Sequence, residues 1–292
     1  MSYRGRFAPS PTGPLHFGSL VAAVGSCLQA KSANGQWLVR IEDLDTPRCV
    51  HGAAESILHS LEWLGFEWDE PVLYQSSRTD AYEAALQQLR SAHVCYACSC
   101  SRSELQAAVG MQQDGDELRY PGWCREHPRR VQDTYAWRFK VPNQPIEFHD
   151  QVHGPQSLSL MDSIGDFVIK RRDGLFAYQL AVVVDDSAQG ITEVVRGADL
   201  LSNTPRQIVL QRALQIPTPN YVHLPLVMDE HGKKLSKSAA ALELSGNSPS
   251  LLLWQALRFL AQNPPIELQD ASLKDLWPWA IAHWQLQRLI LS

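Results

Sequence analysis

No apolar run in the chain approaches the roughly 20 residues that a membrane-spanning helix needs. The first residues, Met-Ser-Tyr-Arg-Gly-Arg-Phe, lack the apolar core of a secretion signal, so the chain is expected in the cytoplasm. Positive charge is also in short supply: 26 Lys and Arg stand against 31 Asp and Glu, a formal net charge of −5. That balance excludes a protein that coats nucleic acid non-specifically, because such binding rests on neutralising phosphates. It leaves room for RNA contact through a local patch such as Arg129, Arg130, Arg171 and Arg172. Internal repeats and low-complexity tracts are absent. What remains is an ordinary globular composition, 45% hydrophobic and 20% charged, in 292 residues, enough for one large or two modest domains.

Cysteine is sparse but clustered. Of the six, Cys95, Cys98 and Cys100 fall within one short stretch, and Cys124 follows further on. In a cytosolic chain such clustering points to metal binding rather than to disulfides. Cys98, Cys100 and Cys124 are three soft ligands suited to zinc, and by residue chemistry His127 is the natural fourth. Cys95 is expected as a buried thiol, and Cys27 and Cys49 receive no role.

Hydrophobic patterning orders the elements. Tyr3 to Ala8 reads as a short strand, followed by a Pro-Ser-Pro-Thr-Gly-Pro turn that neither helix nor ladder tolerates. Phe17 to Lys31 reads as a helix, Trp37 to Ile41 as a strand, and Ala53 to Leu64 and Asp80 to Ser91 as amphipathic helices. This order points to a parallel sheet with crossover helices. The pattern changes near Ala92, and residues 92–174 read as an α+β insertion holding the cysteines, with β-like runs at Tyr135 to Val141 and Phe167 to Lys170. Leu180 to Asp185, nearly all apolar, is expected to be a buried parallel strand. Thr192 to Arg196 and Val222 to Met228 read as further strands, with a helix over Thr204 to Leu214 whose Pro205 suits a first turn. Ser248 to Ser292 reads as helical, with Trp254, Leu257, Leu260, Trp277, Trp279 and Trp284 as core residues.

Two motifs carry phosphate chemistry. In Pro9-Ser10-Pro11-Thr12-Gly13-Pro14-Leu15-His16-Phe17-Gly18-Ser19, a strand–turn–helix start offers free backbone N–H groups, a hydrogen-bonding His16, and a Gly18 that lets a planar base approach the backbone. In Gly232-Lys233-Lys234-Leu235-Ser236-Lys237-Ser238, Lys234 and Lys237 offer positive charge for a phosphoryl centre, and Ser236 and Ser238 add neutral hydrogen bonds. In this order the pair resembles the HIGH and KMSKS signatures of class I aminoacyl-tRNA synthetases. Arg6 to Gly13, Arg40-Ile41-Glu42-Asp43, Trp63-Leu64-Gly65, Val183-Val184-Asp185-Asp186, Arg196-Gly197-Ala198-Asp199 and Asn203-Thr204-Pro205-Arg206-Gln207 narrow the resemblance to the glutamyl-tRNA synthetases, from about residue 4 to 240.

The resemblance implies a Rossmann-type parallel-sheet catalytic domain in two halves (1–91 and 175–240), a zinc-bearing insertion (92–174) and a small helical C-terminal region (241–292). It implies glutamate binding by Arg6, Ala8 through its backbone, Ser10, Glu42, Tyr178 and Arg196, with the arginines on carboxylates and Glu42 and Tyr178 on the ammonium. It implies ATP binding by His16, Gly18, Lys234, Ser236 and Lys237, with His16 and Lys237 catalytic and Mg²⁺ accompanying the ATP. For the metal it offers Tyr120 as the fourth ligand in place of His127, and Tyr120 is the expectation adopted. About fifty-five residues follow Lys237, too few for the anticodon-reading domain of the longer synthetases, and Leu200 and Leu201 stand where those usually place a His after the acid. This pattern resembles the glutamyl-queuosine tRNA(Asp) synthetases. The implied activity is activation of glutamate with ATP and transfer to the queuosine diol at the wobble base of tRNA(Asp). The alternatives are a shortened glutamyl-tRNA synthetase charging a tRNA 3′ end, a non-catalytic glutamate- or RNA-binding regulator, and a class I nucleotidylyl transferase for another acid. Neither a membrane nor an obligate protein partner is expected.

Overall fold

The structure, a computed structural model, describes residues 2–109, 118–127, 134–227 and 246–290. Strand β1 (Arg4–Phe7) enters the Pro- and Gly-rich turn, helix α1 (Phe17–Ser32) crosses over, and β2 (Gln36–Ile41) returns parallel to β1 with Arg6 opposite Leu38. Helix α2 (Ala53–Trp63), the short β3 (Leu73–Tyr74) parallel to β2, and α3 (Thr79–Ser91) complete the first parallel unit. The β–turn–α–β reading of the N-terminal region is thus borne out.

The next stretch holds β4 (Cys95–Cys98), α4 (Arg102–Val109), α5 (Trp123–Glu126) and β5 (Ala136–Phe139). It continues through the hairpin β6 (Ile146–Asp150) and β7 (Gly154–Leu158), then α6 (Leu160–Ser163) and β8 (Phe167–Lys170). Strands β4, β5 and β8 form an antiparallel sheet of their own. The β6–β7 hairpin instead joins the sheet that carries the site.

That sheet is completed by α7 (Tyr178–Ala188), β9 (Glu193–Gly197), α8 (Thr204–Leu214) and β10 (Asn220–Leu224), in the strand order β7-β6-β10-β9. Strand β10 lies parallel to both neighbours, with His223 opposite Arg196 on β9 and Tyr221 opposite Asp150 on β6. The Thr192 backbone N–H donates to the Arg4 carbonyl (3.0 Å), which ties this sheet to β1.

Leu180 to Asp185 is not a strand but the body of α7. An apolar run has no polar face to display a helical period when the helix is buried on several sides, so pattern alone cannot separate the two states. Helix α7 is such a case: Leu180, Ala181, Val182 and Val183 are all buried among α3, α8 and the strands. The strand expected over Val222 to Met228 runs over Asn220–Leu224, and Met228 lies outside the described residues.

The C-terminal region is helical as expected. Helix α9 (Pro249–Phe259) opens with Ser248 accepting from the Leu251 N–H and a Pro in its first turn, and α10 (Leu273–His283) follows. Both helices are part of the main core: Leu252, Leu253, Leu257 and Leu276 pack with Leu20, Val24 and Leu28 of α1. Trp277 donates from its indole N–H to the Leu64 carbonyl (3.0 Å) at the end of α2. Among the described residues no helix is long and apolar enough to cross a membrane.

Candidate active site

The ends of β1, β2 and β9 and the start of α7 converge on a cavity of about 540 Å³. Arg6, Ala8, Ser10, Glu42, Tyr178 and Arg196 all line it. Six residues separated by up to 190 positions therefore meet in one place because parallel strands present their C-terminal ends on the same side.

Arg6 is buried and donates from Nε and Nη2 to the two carboxylate oxygens of Asp186 (3.0 and 3.4 Å). Arg40, fully buried on β2, donates to the same Asp186 (2.7 Å), to Gln189 Oε1 (2.7 Å) and, at 3.5 Å, to Glu42. Asp186 thus bridges two guanidiniums below the cavity. Burial opposes its charge, but Arg6 and Arg40 outweigh burial and hold the carboxyl below its usual range. Glu42 behaves oppositely. Its burial outweighs the attraction of Arg40 and Arg6 and pushes it up to about 7. Tyr178 is likewise raised by burial, which keeps its phenol neutral. Of the side chains lining the cavity, Arg6, Arg48, Arg171 and Arg196 are cationic and Glu42 and Asp45 are acidic, so positive charge is in excess. A ligand with net negative charge matches that balance.

Arg196 is held from behind. Its Nε donates to His223 Nε2 (3.0 Å), Nη1 to Gln207 Oε1 (2.9 Å) and Nη2 to Thr204 Oγ1 (2.8 Å). Helix α8 supplies Thr204 and Gln207 from a first turn that is buried although polar.

His16 caps α1. Its Nδ1 accepts from the Ser19 backbone N–H (3.2 Å), and its Nε2 lies 3.0 Å from Ser19 Oγ. The ring lies against Gly18, where an added Cβ would meet it at 3.2 Å, a tight contact that a larger residue would relieve only by a small shift of the ring. Lys234, Ser236 and Lys237 lie outside the described residues, as do Arg129 and Arg130. Arg171 pairs with Asp45 (3.2 Å) and Asp173, and Arg172 donates to the Ser99 carbonyl.

The cysteines gather as expected. Cys98, Cys100 and Cys124 are buried with their sulfurs within 4.8 Å of one another, and Cys100 and Cys124 are 3.5 Å apart without a disulfide. Tetrahedral thiolate ligands at about 2.3 Å from zinc would stand about 3.8 Å apart, so the group fits a metal ion. The Tyr120 hydroxyl lies 3.5 and 3.6 Å from the Cys98 and Cys100 sulfurs, whereas His127 is exposed. Arg138 donates to Cys98 Sγ (3.3 Å) and stacks over the Tyr120 ring. Gly165, at φ +67°, lets the Tyr120 backbone pass where any Cβ would strike its carbonyl oxygen at 2.2 Å. Cys124 is the thiol readiest to ionise: burial opposes it, but Tyr120 and the Ser99 N–H lower it to about 7. Cys95 and Cys27 are buried and Cys49 is half-buried.

Sequence reasoning gave no role to Arg40, Asp186, Asp150 or His223. Arg40 and Asp186 left a faint signal, as charges embedded in or abutting apolar runs. Asp150 and His223 left none.

Residues 2–248 match the family described as tRNA synthetases class I (E and Q), catalytic domain. The chain is 55% identical over 287 residues to the glutamyl-Q tRNA(Asp) synthetase of Geobacter sulfurreducens, covering 96% of this chain and 91% of that protein. It is 52% identical over 284 residues to the protein of the same name from Aromatoleum aromaticum, covering 97% and 89%. Among solved structures, it is similar to a glutamate tRNA ligase from Elizabethkingia meningosepticum in complex with its amino acid. There the TM-score is 0.82 and the identity 27%, over 99% of this chain and 66% of that one.

Proposed function

We propose, because the chain belongs to the class I tRNA synthetases of the glutamate and glutamine type, that it activates L-glutamate with ATP and transfers it to the queuosine diol at the wobble position of tRNA(Asp). The observation that carries this reading is the joint one: identity above 50% to glutamyl-Q tRNA(Asp) synthetases over nearly the whole chain, and a cavity whose charges complement an amino dicarboxylate.

In the cavity, Arg6 and Arg196 hold the two carboxylates, and Arg suits this because its planar fork binds carboxylate through two hydrogen bonds. Glu42, as carboxylate, and the Tyr178 hydroxyl hold the ammonium, and Ala8 and Ser10 close the pocket from the β1 side. The α-carboxylate then attacks the α-phosphorus of ATP in line, and pyrophosphate leaves. A queuosine hydroxyl attacks the resulting mixed anhydride, and AMP leaves. Neither step needs a nucleophilic side chain, so the protein acts by positioning and by charge. On the ATP side His16 and Gly18 at the start of α1 and Lys234, Ser236 and Lys237 bind the phosphates and base, with Mg²⁺ accompanying the nucleotide. Cys98, Cys100, Cys124 and Tyr120 would hold one structural zinc ion, which when bound pins β4 to α5. With glutamate, ATP and tRNA as its substrates, the protein would act in the cytoplasm.

Glutamate transfer to tRNA(Asp) with and without queuosine is the deciding assay. Labelling that requires queuosine supports the reading. Charging of unmodified tRNA(Glu) would identify a shortened tRNA-end synthetase, and RNA binding without glutamate-dependent ATP–pyrophosphate exchange a regulator. Lys237→Ala is expected to impair exchange at least tenfold, by roughly the magnitude of a lost charged contact in the transition state, with an unchanged melting temperature.

A further inference from the structure

The Arg196 guanidinium carries only donors, and this fixes the chemistry of the two residues behind it. His223 Nε2 receives the Arg196 Nε–H at 3.0 Å, so Nε2 must be an acceptor. The ring proton therefore sits on Nδ1, which lies 2.6 Å from Asp150 Oδ2. Asp150 is in turn anchored by the backbone N–H groups of Val152 (3.0 Å) and His153 (2.9 Å) on its other oxygen. The three side chains come from three adjacent strands, β6, β10 and β9, with His223 and Arg196 in register.

The contacts of Arg196 divide into two sets. Those behind it are short: His223, Gln207 and Thr204, at 2.8 to 3.0 Å. Those in front are long: Nη1 to the Tyr178 hydroxyl at 3.4 Å and Nη2 to the Leu200 carbonyl at 3.3 Å. Tyr178 and Leu200 both line the cavity. A carboxylate entering there exchanges two weak contacts for two charge-assisted ones while the anchors stay in place.

We infer that Asp150 and His223 are positioning residues: the pair locks His223 in its neutral, Nδ1-protonated tautomer and so holds Arg196 as a fork aimed into the cavity. The inference rests on the glutamate reading of that cavity. The groups facing His223 are Asp150 from β6, Arg196 from β9, the Thr204 hydroxyl at 3.3 Å, His153 against its carbonyl, and the stacked Tyr221 ring. Burial, opposed by Asp150 and aided by Arg196 and His153, leaves the imidazole less basic than usual, in keeping with a neutral ring. An imidazolium would aim an N–H at the guanidinium N–H and release Arg196.

The test uses the full chain in glutamate-dependent ATP–pyrophosphate exchange. His223→Leu and Asp150→Asn are expected to raise the KM for glutamate at least about tenfold, the scale of a lost hydrogen bond to a charged group, and to leave the KM for ATP within about twofold. His223→Gln, which restores an acceptor for the Nε–H, is expected to recover most of the loss. Independently, ¹⁵N NMR of the unaltered, ligand-free protein should show His223 neutral with the proton on Nδ1, its signals assigned by their disappearance in His223→Gln. A proton on Nε2, an imidazolium at neutral pH, an unchanged glutamate KM in both variants, or an equal rise in the KM for ATP would overturn the inference. If the unaltered chain supports no exchange with glutamate, the cavity reading fails instead, and the NMR result still decides the tautomer.

Discussion

Glu42 shows how one buried carboxyl ties substrate binding to pH. Burial holds it protonated up to about 7, whereas the ammonium it is proposed to bind needs the carboxylate. The glutamate kcat/KM is therefore expected to rise about tenfold per pH unit below 7 and to level off above it, as for a single ionisation, and exchange kinetics across that range will read it. Stability of the ligand-free protein should run the other way. Between the ordinary Glu value and about 7 the folded state retains a proton that the unfolded chain releases, so this group's contribution falls as pH rises through that window. Glu42→Gln should abolish the inflection and raise the glutamate KM above about pH 7, with the difference from the unaltered protein closing as pH falls below it. Asp186, bridging Arg6 and Arg40, is the opposite case. Asp186→Asn leaves buried Arg6 without its carboxylate and Arg40 with only the long contact to Glu42, and is expected to cost about 3–5 kcal/mol, measured by urea unfolding. A loss below about 1 kcal/mol would show that water or Glu42 replaces the bridge.

At the scale of elements, the β4–α5 unit has, among the described residues, little hydrophobic core of its own. Its cluster is Cys98, Cys100, Leu105, Tyr120 and Cys124. Metal ligation is expected to supply what apolar burial does not. Cys98→Ser should lower bound zinc and the melting temperature together, and unchanged metal content would refute the ligand assignment. The cysteine group was visible in the sequence because thiol spacing is local. For the fourth position residue chemistry favoured His127 and the family resemblance Tyr120, and the backbone path past Gly165 turns Tyr120 inward, beside the thiols. Helix α7 was misread because its burial is not local. Much of its burial comes from α3 and α8, which lie beyond its neighbours β8 and β9 in the chain.

For the whole molecule, the C-terminal helices and the first crossover helix form one core rather than two. Leu257, fully buried on α9, packs in the same cluster as Leu20 and Val24 of α1, the helix that begins at His16. Leu257→Ala is expected to cost about 2–5 kcal/mol in a single cooperative urea transition, with no separate melting of a C-terminal unit. Two transitions would mean that α9 and α10 fold on their own. This shared core also explains why residues far from the cavity can alter it: α1 carries Ala22 on the cavity wall and His16 at its end.

The sequence by itself, through its resemblance to the glutamyl-tRNA synthetases, named Arg6, Ala8, Ser10, Glu42, Tyr178 and Arg196 before any contact was known. The three cysteines it named from residue chemistry alone, because thiol type and spacing belong to the residue and its neighbours. The tertiary structure alone decided who partners whom: Asp186 beneath Arg6 and Arg40, and Asp150 and His223 behind Arg196. Those pairings depend on strand order and register between residues up to 180 positions apart, and charge state and tautomer follow from them, because desolvation and hydrogen bonding are properties of place rather than of residue type.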